Sequence, residues 1–493
     1  MINDLHFCTP EEIGLPSKQV NTLLDRFAEY KINLHSFLLA RGGKIFTEAY
    51  YAPFDKDFAH RIYSCSKTYV ALAIGRMITE GKLSLEDRIA EVCPDLVEKP
   101  LHKWMRECTV EDALRMAVPL STDSYYDLTY NEWAWTFFNR LEPVKPGGTI
   151  FHYNTSGSFI LDVLVEKLTG MDFLEYLRPV FDRVGVSRDI WCVKAPDGHL
   201  WGGSGVITTL RDFAKMGEFL LHRGEVDGEQ LIDRDYMEKM TSKQISNLYE
   251  NFWSPRTTSG YGYQTWITDT GWSMYGMGSQ YAFCFPEKDL LFVCQSDTQY
   301  PGDNSGDYLY DAVKHLVYEQ LSDAPLAADP AAAAALNARV AALELDAVRG
   351  EAHSALEGSI NGVTYTLEEN ALGWKWFRME LDGEGGTLVY ENARGIKRLP
   401  FGFNRFARCT FPETHYYDKK VSFPANRELD CLCSASWTMP QTLLVRAYVI
   451  DTNFGNCHLQ FGFNGDQVGI MASKCAEFFM DDYQGFAGGR KAD

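Results

Sequence analysis

Ser64-Cys65-Ser66-Lys67 decides how this chain is read. The tetrad opens the stretch 65–80, in which Val70, Ile74, Met77 and Ile78 share one helical face and Gly81 marks the stop. An S-x-x-K at the start of a helix sets the serine and the lysine one turn apart on the same side. A serine hydroxyl is a poor nucleophile near neutral pH, and a lysine held in a desolvated site can supply the base it lacks. The helix N-terminus adds a positive field and a free backbone N–H, which suit a developing oxyanion. A chain of this length carries roughly one or two S-x-x-K tetrads by chance, so the tetrad needs company before it means catalysis.

Company comes from Lys145-Pro146-Gly147-Gly148-Thr149-Ile150-Phe151-His152-Tyr153-Asn154-Thr155-Ser156-Gly157. A Pro-Gly-Gly turn there delivers a short strand and sets Tyr153 in the loop before an apolar-periodic helix over 157–169. A tyrosine beside a lysine can take a proton from the nucleophile and return it to the leaving group; taken alone, Tyr153 reads equally as a half-buried loop aromatic. Cys65 reads as a small buried residue and His152 as a surface or strand residue, neither as a catalytic partner. The chain lacks G-x-S-x-G, a Walker loop, a helix-opening G-x-G-x-x-G and H-E-x-x-H, and its eleven histidines show no metal-ligand spacing.

In this order the segments resemble the serine β-lactamase and penicillin-binding-protein superfamily, and within it the class C β-lactamase-like esterase and amidase branch. The resemblance covers roughly residues 5–320. It also takes in Thr9-Pro10-Glu11-Glu12-Ile13-Gly14-Leu15, the run Trp201-Gly202-Gly203-Ser204-Gly205-Val206-Ile207-Thr208-Thr209-Leu210-Arg211-Asp212, Tyr261-Gly262-Tyr263, and Gly276-Met277-Gly278-Ser279-Gln280-Tyr281. It implies an α+β fold, an antiparallel sheet flanked by helices. It also implies that Ser64 is the acylated nucleophile, that Lys67 holds the proton network, and that Tyr153 is the base. The oxyanion hole would be the backbone N–H groups of Ser64 and Met277.

Two departures from the family pattern bear on the substrate. The usual Tyr-x-Asn reads Tyr153-Asn154-Thr155, and the usual Lys-Thr-Gly or His-x-Gly strand reads Gly271-Trp272-Ser273-Met274-Tyr275-Gly276, with no cation to grip a carboxylate. A neutral acyl group is therefore expected, bound among Asn154, Thr155, Tyr275, Gly276 and Gly278. The aromatic stretch from Tyr125 to Phe138 borders the cleft in the family. Tyr125 and Tyr126 are expected to face the substrate, and Trp133, Phe137 and Trp135 are expected to pack inside a helix.

Composition sets the frame. With 493 residues, 45% of them hydrophobic, the chain can fill cores, and its net charge of −20 disfavours nucleic acid and anionic lipid. An Ala/Pro-rich connector over 323–348, with a short helix around Leu336, Val340 and Leu343, divides a hydrolase domain (1–322) from 349–493. Alternating runs in the latter predict an antiparallel β domain, barrel-like and similar to lipocalin-like appendages. Twelve scattered cysteines without a C-x-x-C pair, and a start without basic or apolar leader character, predict a cytoplasmic protein with free thiols.

The reading that follows is a serine hydrolase acting on a small ester or amide, with no metal or organic cofactor implied and a homodimer left open. A β-lactamase or D-amino-acid peptidase, an acyltransferase using the same acyl-enzyme, and a non-catalytic binding protein are the alternatives.

Overall fold

A computed structural model of the protein describes residues 6–126, 130–248, 259–299, 305–413, 428–476, 480 and 483–492. The chain divides into two compact units, with the main division between Glu344 and Leu345.

The first unit is built on a six-stranded antiparallel sheet. Its strands are β1 (Leu34–Arg41), β2 (Lys44–Tyr50), β3 (Trp266–Ile267), β4 (Trp272–Gly276), β5 (Gln280–Phe285) and β6 (Leu290–Ser296), in the order β2-β1-β6-β5-β4-β3. The β1–β2 hairpin turns through Gly42 and Gly43, both at positive φ, as the Gly-Gly pair predicts. Every residue of β5 and β6 is buried, because helices cover both faces.

On one face lie α1 (Ser17–Glu29) and a later helix, Ser305–Leu316. Val20, Leu23 and Phe27 pack with Phe37, Leu39, Phe283 and Phe292, and the Phe27 and Phe37 rings meet edge-on at 5.7 Å. The other face carries helix Leu210–Leu221, whose Gly217 rides so close that a Cβ there would sit 3.3 Å from Ala282 and 3.1 Å from Leu291. Helices α2 (Ser66–Thr79) and α3 (Thr155–Thr169) pack against each other beside the sheet. None of the described helices is long and apolar enough to cross a membrane.

The Ala/Pro connector is more ordered than its composition suggests. Pro330–Ala341 forms a helix capped by Asp329, and its Leu336, 2% exposed, belongs to the core cluster of the first unit. Arg339 reaches back to Asn21 and Asp25 on α1.

The second unit is a closed barrel. Its ladder contains β7 (Thr364–Leu367), β8 (Trp376–Leu381), β9 (Gly385–Asn392), β10 (Gly395–Phe403), β11 (Ala407–Phe411), β12 (Leu429–Met439), β13 (Thr442–Val449), β14 (Gly455–Asn464), β15 (Gln467–Cys475) and β16 (Gly485–Lys491). The ring runs β10-β9-β8-β7-β16-β15-β14-β13-β12, and a parallel pairing of Gly402 with Ser434 and Phe403 with Ala435 closes it. Strand β11 stands outside the ring, paired to β12. On β14, Cys457, Leu459, Phe461 and Phe463 are buried while Gln460 and Asn464 are exposed, the period-two spacing of an inward face, and β12 is buried on both sides from Cys431 to Trp437. Glu413 follows β11 as a buried carboxylate that accepts from Asn392 (2.6 Å) and Arg394 (2.9 Å).

A short strand, His60–Arg61, pairs with Val206–Thr208 and leads into the Ser64 tetrad. His60 is fully buried. Its Nδ1–H donates to the Arg61 carbonyl (3.1 Å), so its Nε2 accepts from His35 Nδ1 at 2.8 Å. Burial pulls the His60 imidazole down to about 3.

Two outcomes follow from these contacts. Leu336→Ala should lower the unfolding free energy of the first unit by about 2–5 kcal/mol, whereas a passive tether would leave chemical denaturation unchanged. Between the unfolded imidazole value of about 6.5 and the folded value of about 3, the unfolded chain binds a proton that native His60 does not. Stability should therefore fall as pH drops through that window. Urea titrations of His60→Asn should show a shallower fall, by up to about 1.4 kcal/mol per pH unit.

Candidate active site

Local backbone geometry presents Ser64. Tyr63 sits in the left-handed region at φ 46° and opens a 3-10 turn, Tyr63–Cys65, that runs directly into α2. Holding a tyrosine there costs about 1–3 kcal/mol, and the turn is tied down accordingly. Ser66 Oγ donates to the Tyr63 carbonyl (2.5 Å) and accepts from Val206 N–H (2.9 Å). Cys65, Ser66 and Lys67 are buried, and Ser64 is left partly open.

The one-turn offset does what helix geometry dictates. Lys67, 1% exposed, places Nζ 3.0 Å from Ser64 Oγ and donates a second bond of 2.5 Å to the Gly203 carbonyl. Its ammonium lies 5.0 Å from the centre of the Tyr153 ring, and the Tyr153 hydroxyl hydrogen-bonds Ser64. Burial pushes the Tyr153 phenol above its ordinary value, with the Ser64 bond opposing that shift. Ser64, Lys67 and Tyr153, 89 residues apart at the extremes of the sequence reading, thus converge on one point.

The glycine-rich run supplies the acceptor for Lys67. A Cβ on Gly203 would lie 2.5 Å from Thr155 Cγ2, and one on Gly202 would lie 2.5 Å from Val70 Cγ2, so the run threads between α2 and α3 as nothing larger could. Arg61, fully buried, fixes its far side: Nε donates to the Ser204 carbonyl (2.8 Å) and Nη2 to Ser204 Oγ (3.2 Å), with the guanidinium over the Tyr63 and Trp201 rings.

Strand β4 forms the opposite wall. Gly276 passes so close to the nucleophile turn that a Cβ would lie 2.2 Å from the Ile62 carbonyl, which explains the glycine and brings the following Met277 turn alongside. Gln280 Nε2 fixes that turn by donating to the carbonyls of Met277 (3.2 Å), Gly278 (3.1 Å) and Ser296 (2.6 Å). Gly278 is buried at φ 76° within it.

The expected binding residues divide. Tyr275 is half-buried beside Tyr153 and 6.0 Å from the Trp266 ring. Tyr126 is 58% exposed and packs its ring 4.5 Å from Tyr125. Tyr125 reaches Trp133 and Trp201 and donates to Asp123 (3.0 Å). Asn154 corrects the expectation. It is 1% exposed and caps α3, accepting from Gly157 N–H (2.8 Å) and donating to the Thr122 carbonyl (2.9 Å), so its amide is spent inside the fold. Thr155 is likewise buried, against Gly203, and Gly276 serves close packing rather than a ligand surface. Trp133 and Phe137 are buried in helix Trp133–Asn139 as expected, and Trp135 only partly. Asp127, Leu128 and Thr129 of that aromatic stretch lie outside the described residues, as do Met1 to Leu5.

Two residues escaped the sequence reading. Trp266 stacks on Tyr153 (5.6 Å, 19°), above a small core of Met116, Phe151 and Tyr261. Asp123, buried, accepts from Ser156 N–H at the start of α3 (2.7 Å) and from Tyr125. Burial pushes its carboxyl up, and those bonds and the Lys67 charge pull against the shift. Neither stands in a recognisable motif. Among the described residues no group of three or more His, Cys, Asp or Glu could hold a metal ion, and Cys65 is packed away with its thiol on the Gln280 carbonyl.

Comparison with known proteins bears on the fold and family of the first unit. The chain is 24% identical over 314 residues to a 6-aminohexanoate-dimer hydrolase of Paenarthrobacter ureafaciens, covering 58% of this chain and 78% of that one. Among solved structures, a Bacillus anthracis protein assigned as a 6-aminohexanoate-dimer hydrolase aligns with TM-score 0.50 and 17% identity, over 64% of this chain and 86% of its own. The octameric penicillin-binding protein homologue of Pyrococcus abyssi aligns over 96% of this chain and 99% of its own, with TM-score 0.49 and 16% identity. A family model described as Beta-lactamase matches residues 20–315, which hold the Ser64 turn, α3 and the whole antiparallel sheet, and the chain belongs to that family.

Proposed function

We propose that the protein is a serine hydrolase that cleaves a small-molecule ester or amide through an acyl-enzyme on Ser64. The observation that carries this is the 3.0 Å contact between Lys67 Nζ and a partly open Ser64 Oγ, with the Tyr153 hydroxyl on the same oxygen. The relative named as a hydrolase of 6-aminohexanoate dimers supports a small-molecule substrate.

Ser64 Oγ attacks the acyl carbon, and its proton passes to the Tyr153 oxygen as the phenol's own proton leaves toward the departing group, with Lys67 staying an ammonium beside the developing charge. Tyr153, held as a phenol at rest by burial, hands a proton to the leaving group, and water then cleaves the ester on Ser64. The N–H groups of Ser64 and Met277 would receive the oxyanion, since Gly276 seats the Met277 turn against the nucleophile turn. Tyr125, Tyr126 and Tyr275 offer aromatic surface for the acyl or alcohol part. The strand Gly271–Gly276 has no Lys or His, which favours a neutral acyl group over a carboxylate-bearing β-lactam or D-amino-acid peptide. All twelve cysteines are free, in keeping with a cytoplasmic location.

Wild-type protein should be labelled by a fluorophosphonate and should hydrolyse short-chain p-nitrophenyl esters. Ser64→Ala should lose labelling and drop kcat/KM by about 10⁴-fold or more. Labelling that survives the substitution would overturn the nucleophile assignment. Fast turnover of a chromogenic cephalosporin would favour a β-lactamase, acylation of an added alcohol a transferase, and no reaction at all a binding protein. Because burial raises the Tyr153 pKa, the phenol stays protonated from about pH 6 to about pH 9. Tyr153→Phe should therefore lower the plateau of kcat/KM by about 10²–10⁴-fold without moving either limb of its pH profile in that range; a displaced limb would show that Tyr153 itself titrates there.

A further inference from the structure

Scattered along the sequence, four of the twelve cysteines come together in the barrel. Cys431 and Cys433 sit two residues apart on the inward face of β12, Cys457 points inward from β14, and Cys409 comes from β11. Cys409 and Cys431 are directly opposed in the antiparallel β11–β12 ladder. Directly opposed residues in such a ladder have Cα atoms about 4.5–5.5 Å apart, inside the window of about 4.4–6.8 Å that a disulfide requires. The two side chains face each other closely enough for Cys431 to lower the Cys409 thiol, whose own proton points to the Pro400 carbonyl at 3.8 Å.

The two thiols differ in a way that assigns them roles. Cys431 is fully buried, and burial raises its thiol well above the ordinary value. Cys409 is partly exposed, and the Cys431 side chain opposite lowers it. It stands on the strand outside the closed ring, where backbone movement needs to break pairing with β12 alone. A thiol that is accessible and more readily ionised attacks an oxidant, and a buried thiol in contact resolves the product.

We propose that Cys409 and Cys431 form a redox-active dithiol, oxidised to a cross-strand disulfide by hydroperoxides. The Cys409 thiolate, its proton released to solvent, attacks a peroxide oxygen. An S–O bond forms, the O–O bond breaks, and the departing alkoxide or hydroxide takes up a proton. Cys431 sulfur then attacks Cys409, an S–S bond forms, and the sulfenic oxygen leaves as water with the Cys431 proton. Two thiols and one hydroperoxide thus become one disulfide, one alcohol or water, and one further water. Cys433 and Cys457, fully buried on the inner face, have no such access.

The test uses the full-length reduced protein treated with hydrogen peroxide or cumene hydroperoxide, then alkylated with iodoacetamide and digested without reductant. The expected result is a peptide pair linked through Cys409 and Cys431, with loss of two hydrogens and of alkylation at both positions. In Cys431→Ser the sulfenic acid on Cys409 should persist and be trapped by dimedone, and in Cys409→Ser the Cys431 thiol should stay alkylatable after peroxide. Both cysteines fully alkylated after oxidant, a bridge mapped to Cys433 or Cys457 instead, or no dimedone adduct on Cys409 in folded Cys431→Ser would each overturn the proposal. Circular dichroism of each variant before treatment separates a failure to fold from a failure to oxidise.

Discussion

A lysine ammonium that is 1% exposed must find fixed partners, because an unpaired buried charge costs several kcal/mol. Lys67 finds Ser64 Oγ and the Gly203 carbonyl, and much of the first unit can be understood as what keeps that carbonyl in place. Glycines at 202 and 203 let the run approach α2 and α3 within contact distance. Arg61 holds Ser204 from behind while its own backbone pairs with Ile207 and leads two residues later into Tyr63. Asp162 on α3 accepts from Gly202 N–H at 3.3 Å, and burial pushes its carboxyl well above the ordinary range, with the Gly202 bond pulling against that shift. One buried cation thus binds together two helices, a glycine run and a strained turn.

The same economy recurs on the other side of the nucleophile. Gly276 is small because β4 must touch the Ile62 carbonyl, and Tyr275 beside it points an aromatic ring toward Tyr153 and Trp266. Strand β4 carries no Lys or His, so it brings no second positive charge beside Lys67. The barrel follows a different logic: nine strands close on themselves, leaving few edges, and the exception, β11, carries the half-exposed Cys409.

Much of this was legible in the residues, and the limits have physical causes. Period 3.6 located α2 to within a residue or two through Val70, Ile74 and Met77, although burial runs all round the helix from Ser66 to Gly75. The place of Tyr153 in the loop after a Pro-Gly-Gly turn was legible, and the structure sets its ring beside Lys67 and its hydroxyl on Ser64. The Gly203 carbonyl was not, since a backbone acceptor leaves no side-chain signature and lies 136 residues from Lys67. Asn154 was misjudged because a helix cap and a substrate ligand call for the same amide, and local geometry gave it to the cap. In the barrel, runs such as Thr364–Leu367 declared themselves by alternation. Leu429–Met439 and Gly485–Lys491 did not, being built of Cys, Ser, Ala and Gly, whose strand preference is weak until neighbours supply the ladder.

A stopped-flow burst measurement with a p-nitrophenyl ester at saturating concentration tests most directly whether Lys67 activates Ser64. Wild-type protein should release p-nitrophenol in a rapid burst stoichiometric with enzyme, followed by slower turnover. Lys67→Met, shown to be folded, should give no burst. A Lys67→Met burst at the wild-type rate would contradict the account, since Ser64 would then be activated by something other than the lysine one turn away.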